Sequence, residues 1–162
     1  EILLYKKIVI LSHWRVGSTN FKKTLEQITG QEFWNEPNFK KHKNTIDSMG
    51  FNEFMEKSKW KSMKCDYVKS KDYLNEILDY ADMVFLLKRR DVTAQANSYG
   101  KLLNTILEKE DARIWNHGVS KLSIREIKEA NDLMTELVKK HPNHRILWYE
   151  DIIDILSRKE DE

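Results

Sequence analysis

Apolar positions along this chain come in two kinds: short unbroken runs, and longer stretches in which they recur every three or four residues. Ile8-Val9-Ile10-Leu11, inside the segment Lys6–Ser12, is a β-branched run of the kind found in strands covered on both faces. From Ser18 onward Phe21, Leu25 and Ile28 keep helical spacing as far as Gly30, which predicts a helix with a glycine stop. Gln31–Lys43 reads as an aromatic and polar loop, residues 51–58 as a short helix, and Trp60–Lys64 as a faintly marked second strand. Tyr73, Leu74, Ile77, Leu78 and Ala81 form a helical stripe. Met83–Leu87 is another buried-type strand, after which Asp91 is the expected N-cap of a helix carrying Val92, Ala96, Tyr99, Leu103 and Ile106. Asp111–Leu122 reads as a loop, and Ser123 with Glu126 as a capping box before Ile127, Ala130, Met134 and Leu137. His141-Pro142-Asn143 ends that helix, Arg145–Tyr149 is a last strand, and Ile152–Leu156 a closing helical turn.

Strands alternating with helices predict βαβ units. The expected fold is α/β, three layers (α/β/α) around a central parallel sheet of about four to five strands, with residues 1–162 as a single domain. In such sheets ligands bind beyond the carboxyl ends of the strands. That places the loops after Leu11, Lys64, Leu87 and Tyr149 along one edge.

Composition narrows the class. Of 162 residues, 40% are hydrophobic and 33% charged, the balance of a globular chain. Lys and Arg number 28 against 26 for Asp and Glu, so no basic excess points to nucleic acid, and any anion site must be local. Cys65 is the single cysteine, which excludes an internal disulfide and a thiolate metal cluster, and the five histidines lack metal-ligand spacing. The runs Ile8–Leu11 and Met83–Leu87 are too short to cross a bilayer, and no leader pattern opens the chain. The expectation is a cytoplasmic protein without metal, membrane or nucleic-acid partners; nothing in the sequence specifies an oligomer.

The loop after the first strand carries the first chemical signal. Ser12-His13-Trp14-Arg15-Val16-Gly17-Ser18-Thr19 joins a buried strand to a helix start, where unsatisfied backbone N–H groups suit an oxyanion. Gly17 permits a tight turn and close approach, Ser18 and Thr19 add hydroxyl donors, and Arg15 adds a forked cation. Taken alone, a Gly-Ser-Thr turn is more often an ordinary N-capped helix. The Walker pattern ending in Gly-Lys-Ser/Thr is absent, which counts against an ATPase or GTPase. A second basic cluster, Lys88-Arg89-Arg90-Asp91, ends the strand at Met83–Leu87, with Ser98 about two turns along the following helix.

These two motifs, in this order, resemble the family of sulfotransferases that use 3′-phosphoadenosine 5′-phosphosulfate. Arg15-Val16-Gly17-Ser18-Thr19, with Asn20 next to it, looks like the family's 5′-phosphosulfate loop, in which a basic residue stabilises the leaving phosphate. Arg90 and Ser98 match its 3′-phosphate motif, with Arg89 a competitor for the first place, and the run looks most like bacterial members acting on carbohydrate-type acceptors. Tyr149-Glu150-Asp151-Ile152 is similar to a late segment of many members, and here it is assigned a structural role. The resemblance spans about Ile8 to Ile152 and is patchy between the motifs. It implies a P-loop-like sulfotransferase fold, the donor 3′-phosphoadenosine 5′-phosphosulfate, the product 3′-phosphoadenosine 5′-phosphate, and a small-molecule or carbohydrate acceptor.

Sulfuryl transfer to a hydroxyl or amine needs a base within hydrogen-bond reach of the acceptor proton. Glu36 lies where glycan and tyrosine sulfotransferases carry a catalytic Glu, and its aromatic neighbours are expected to desolvate it in part. Asp66 is the rival, standing where small-molecule sulfotransferases place a His, two residues after Lys64. Lys64 is the expected neutraliser of the moving sulfuryl group. Arg15 stabilises the leaving phosphate, while Arg89, Arg90 and Ser98 hold the donor's far end. The chain departs from the family in being short, with Arg158-Lys159-Glu160 only a faint echo of a later Arg-Lys-Gly segment. A nucleotide-dependent kinase on a related fold and a non-catalytic nucleotide- or anion-binding module are the alternatives.

Overall fold

The computed structural model of the chain describes residues 6–13, 18–95 and 119–153, the side chains of 119–123 excepted. Five strands form one sheet: β1 (Ile8–Ser12), β2 (Phe33–Asn35), β3 (Ser62–Asp66), β4 (Met83–Lys88) and β5 (His144–Trp148). Their order is β2-β3-β1-β4-β5, and every neighbouring pair is parallel. The helices are α1 (Ser18–Thr29), α2 (Lys43–Met49), α3 (Phe51–Lys57), α4 (Tyr67–Ser70), α5 (Leu74–Tyr80) and α6 (Val119–Lys139). Helical turns also cover residues 92–95 and 149–153.

The unbroken apolar runs are explained by the two faces they fill. In β1 and β4, Val9, Leu11, Val84 and Leu86 point to one side, into a core with Ile46, Phe54, Ile77, Ala130 and Met134. Ile8, Ile10, Met83, Phe85 and Leu87 point to the other side, against Leu25 and Ile152. Each strand therefore has helices above and below, as a parallel sheet requires. The three-layer α/β/α architecture with a parallel sheet is the one the sequence predicts.

Several boundaries differ from the expectation, each for a physical reason. The second predicted strand, Trp60–Lys64, lies two residues later, at Ser62–Asp66. It is buried throughout, but only Met63 and Cys65 enter the larger core; Ser62, Lys64 and Asp66 alternate with them as buried polar residues, so no apolar run marks it. The predicted loop Gln31–Lys43 contains β2 and a 3-10 turn at Phe39–His42, both too short to show a period. Helix α2 had no sequence signal, because Ile46 is its one buried side chain. Helix α6 begins at Val119, so Ser123 lies inside it and cannot open it as a capping box, and the predicted loop at Asp111–Leu122 gives way to helix over its last residues. Asp91 does cap the following turn, its Oδ1 accepting from the Ala94 N–H at 2.9 Å.

Candidate functional site

Because all five strands run the same way, their carboxyl ends make a single edge. Ser12 at the end of β1 stands level with Asp66 of β3 on one side and Leu87 of β4 on the other. From β3 to β4 the chain crosses over β1, so this is the point at which strand order reverses, the usual place for a ligand crevice. Helix α1 begins beside it, at Ser18.

Lys64 is the centre of what the structure assembles there. It sits in β3 with its side chain 4% exposed, and its Nζ lies 3.1 Å from Thr19 Oγ1 and 3.3 Å from Glu36 Oε1. A buried ammonium is tolerated only when paired and hydrogen-bonded, so these contacts fix its position. Thr19 comes from the first turn of α1, and Glu36 from the residue after β2. The other carboxylate oxygen, Oε2, faces Lys69 Nζ of α4 at 3.5 Å.

The backbone explains how Glu36 gets there. Its N–H continues the sheet by donating to the Lys64 carbonyl at 2.8 Å. Strand alternation would send its side chain to the Trp34 face, the opposite one from Lys64. Instead Glu36 has φ +49°, the left-handed region, as the one non-glycine with positive φ among the described residues. Such a conformation costs about 1–3 kcal/mol in a non-glycine residue and persists only where the surroundings impose it. The aromatic wall expected around Glu36 is not what it meets. Phe39 is buried in the core, Trp34 packs on Phe39 and Phe54, and the carboxylate faces two ammonium groups. Trp34 is accordingly a packing residue.

Asp66, the rival base, is 2% exposed and caps α4, its Oδ2 accepting from the Lys69 N–H at 3.4 Å. His13, immediately after β1, is 1% exposed and stacks on Tyr67 with ring centroids 5.9 Å apart. Burial lowers its pKa to about 4, so it is a neutral packing residue near pH 7. Cys65, next to Asp66 in sequence, is buried, and burial pushes its thiol up to about 12, which removes it as a nucleophile.

The second basic cluster is organised by the end of β5. Arg90 Nη1 and Nη2 each lie 3.0 Å from an Asp151 oxygen, and the Arg90 and Asp91 N–H groups both donate to Glu150. Arg89 lies over the Tyr149 ring at 4.3 Å, and Lys88 and Arg90 over Trp148. The Tyr149-Glu150-Asp151 segment thus has the structural role assigned to it: it holds the Lys88–Asp91 run in place. Arg15, Val16, Gly17 and Ser98 lie outside the described residues. Ser18 and Asn20 take their places in the first turn of α1 beside Thr19.

Lys69 was not singled out in the sequence. Its only signal is the Asp66-to-Lys69 spacing of a short cap, which is invisible in so lysine-rich a stretch. A cavity of about 640 Å³ lies at the opposite, amino-end edge, between the ends of α5 and α6, lined by residues such as Asn75, Asp79, Lys140 and Asn143. It contains none of the residues above, and the chemistry of the carboxyl edge outweighs its size. Among the described residues no cluster of His, Cys, Asp and Glu is arranged to hold a metal ion, and no helix is long and apolar enough to cross a membrane.

No protein-family model and no curated protein sequence matches this chain. Ten solved chains do match in structure. One is the shikimate kinase from Acinetobacter baumannii in complex with shikimate, with TM-score 0.55 and 11% identity over 99% of this chain and 98% of that one. At that identity the likeness is one of fold. The chain shares the three-layer parallel α/β fold of that kinase.

Proposed function

We propose that this protein is a sulfotransferase, moving a sulfuryl group from 3′-phosphoadenosine 5′-phosphosulfate to a hydroxyl or amine of a carbohydrate or small-molecule acceptor. One observation carries the reading: the buried Lys64 ammonium joins Thr19, on the helix that follows the donor loop, to Glu36, the candidate base. In-line transfer is favoured by a fixed cation where charge moves between donor and acceptor, and Lys64, held between Thr19 and Glu36, would supply it. The bond from sulfur to the bridging oxygen breaks, its electron pair leaving with the 5′-phosphate, which Arg15 stabilises. The acceptor oxygen or nitrogen forms the new bond to sulfur and gives its proton to Glu36. Val16, Gly17, Ser18, Thr19 and Asn20 hold the 5′ end; Arg89, Arg90 and Ser98 hold the 3′-phosphate. The site residues require no metal for this chemistry, and the product is 3′-phosphoadenosine 5′-phosphate.

A phosphotransferase is the second reading, and two observations favour it. One solved structure similar to this chain is a kinase. Asp66 ends a buried strand next to β1, where P-loop enzymes carry a carboxylate for magnesium, although the sequence showed no apolar strand there. Against it, Ser18 stands where the Walker lysine belongs. Calorimetric titration with 3′-phosphoadenosine 5′-phosphate, with ADP, and with ATP and magnesium separates the two. Preference for the 3′-phosphorylated nucleotide, weakened in Arg15→Ala and Arg90→Ala, is the expected result. Preference for ATP with magnesium overturns the sulfotransferase reading in favour of the kinase.

A further inference from the structure

We propose that Lys64, Lys69 and Thr19 form the subsite for the transferred oxyanion group, and that the Glu36 carboxylate occupies this subsite in the free protein until the donor displaces it. The inference rests on the donor reading above and adds Lys69 to the site as a second cation.

Three features point the same way. The first is the geometry of the carboxylate, whose two oxygens are each directed at a different ammonium, Oε1 at Lys64 and Oε2 at Lys69. Two oxygens shared between two cations is also the arrangement that a tetrahedral sulfuryl or phosphoryl group would adopt there, with the Thr19 hydroxyl beside it. The second is charge: Glu36 is the carboxylate that both ammonium groups contact, so once it leaves, Lys64 and Lys69 face the vacated position and suit an anion there. The third is the backbone, because the left-handed φ of Glu36 is what brings its carboxylate to Lys64. A residue held in that conformation is poised to relax when a better anion takes its place.

Exposure is distributed as such an exchange demands. Lys64 is enclosed within the sheet, whereas the Glu36 and Lys69 side chains are 28% and 35% exposed. Lys64 therefore stays with Thr19 while Glu36 swings out. The free carboxylate then faces the acceptor, so Glu36 is available as a base only after the donor is seated. The reaction follows a donor-first order.

The test compares two nucleotides that differ only in the transferred group. 3′-Phosphoadenosine 5′-phosphosulfate and 3′-phosphoadenosine 5′-phosphate are titrated calorimetrically into the wild type, Glu36→Gln and Lys69→Met. Glu36→Gln removes the internal competitor and is expected to tighten the sulfated nucleotide by roughly tenfold, leaving the other unchanged. Lys69→Met, at a partly exposed position that the fold tolerates, is expected to weaken the sulfated nucleotide about fivefold, again selectively. If both nucleotides bind and the affinity ratio between them is the same in all three proteins, the subsite assignment is wrong while the donor reading stands. If neither nucleotide binds to the wild type, the donor reading itself is overturned, and the subsite with it.

Discussion

The Arg90 guanidinium and the Asp151 carboxylate face each other as a fork on a fork, two parallel hydrogen bonds of 3.0 Å joining the end of β4 to the turn after β5. The pair holds the Arg90 pKa above, and the Asp151 pKa below, its ordinary value, chiefly through those bonds. Arg90 is the residue expected to hold a 3′-phosphate, and a phosphate has to compete with Asp151 for the same donors. Asp151→Asn is therefore expected to raise the affinity for 3′-phosphoadenosine 5′-phosphate by roughly threefold, with ADP binding unchanged. Calorimetry on the two proteins decides it. Weaker binding in the variant would mean that Asp151 orients Arg90 instead of withholding it.

Acid should expose the buried His13. In the folded protein its pKa is about 4, lowered by burial from the 6.5 of a free imidazole. Above pH 6.5 neither the folded nor the unfolded form is protonated, and stability is at its full value. As the pH falls from 6.5 toward 4 the unfolded chain binds a proton that the folded chain refuses, so stability is lost over that window, by on the order of 3 kcal/mol. Urea unfolding at pH 4.5 and pH 7.5 measures the loss, and His13→Gln should make the difference between the two pH values smaller. An unchanged difference in the variant would assign the acid sensitivity to the carboxylates.

The core beside β2 is aromatic. Phe39 is fully buried, with its ring centroid 5.2 Å from Phe51, 5.8 Å from Tyr73 and 5.9 Å from Trp34, the residue two before Glu36. Phe39→Ala is expected to cost about 3–5 kcal/mol by the cavity it leaves, and Phe39→Leu less than half as much. Denaturant titration checks both. A cost below about 1 kcal/mol would show that the chain collapses around the site without this anchor.

Much of the fold was legible because its signals are local. The β1 and β4 strands announce themselves as continuous apolar runs, since both of their faces are covered, and α1 and α5 by their stripes. β3 was harder to place, because only every second residue enters the larger core, and β2 harder still, with three residues and a single fully buried one. The start of α6 was misplaced because a Ser-x-x-Glu spacing occurs inside a helix as readily as at its beginning.

What the sequence by itself determined is the alternation of β1, β3, β4 and β5 with helices, the carboxyl edge on which a ligand would sit, and the residue types gathered in the motifs after β1 and β4. Those are consequences of hydrophobic period and turn chemistry, which act over a few residues. Only the tertiary structure decided that β3 lies between β2 and β1, and with it that Lys64 is a buried cation touching both Thr19 and Glu36. The same holds for Arg90, whose partner Asp151 is 61 positions away. Lys69 reaches Glu36 across 33 positions for the same reason. Pairings of that range follow from strand order and from the demand that a buried charge find a counter-charge, and neither is written in any local window of the chain.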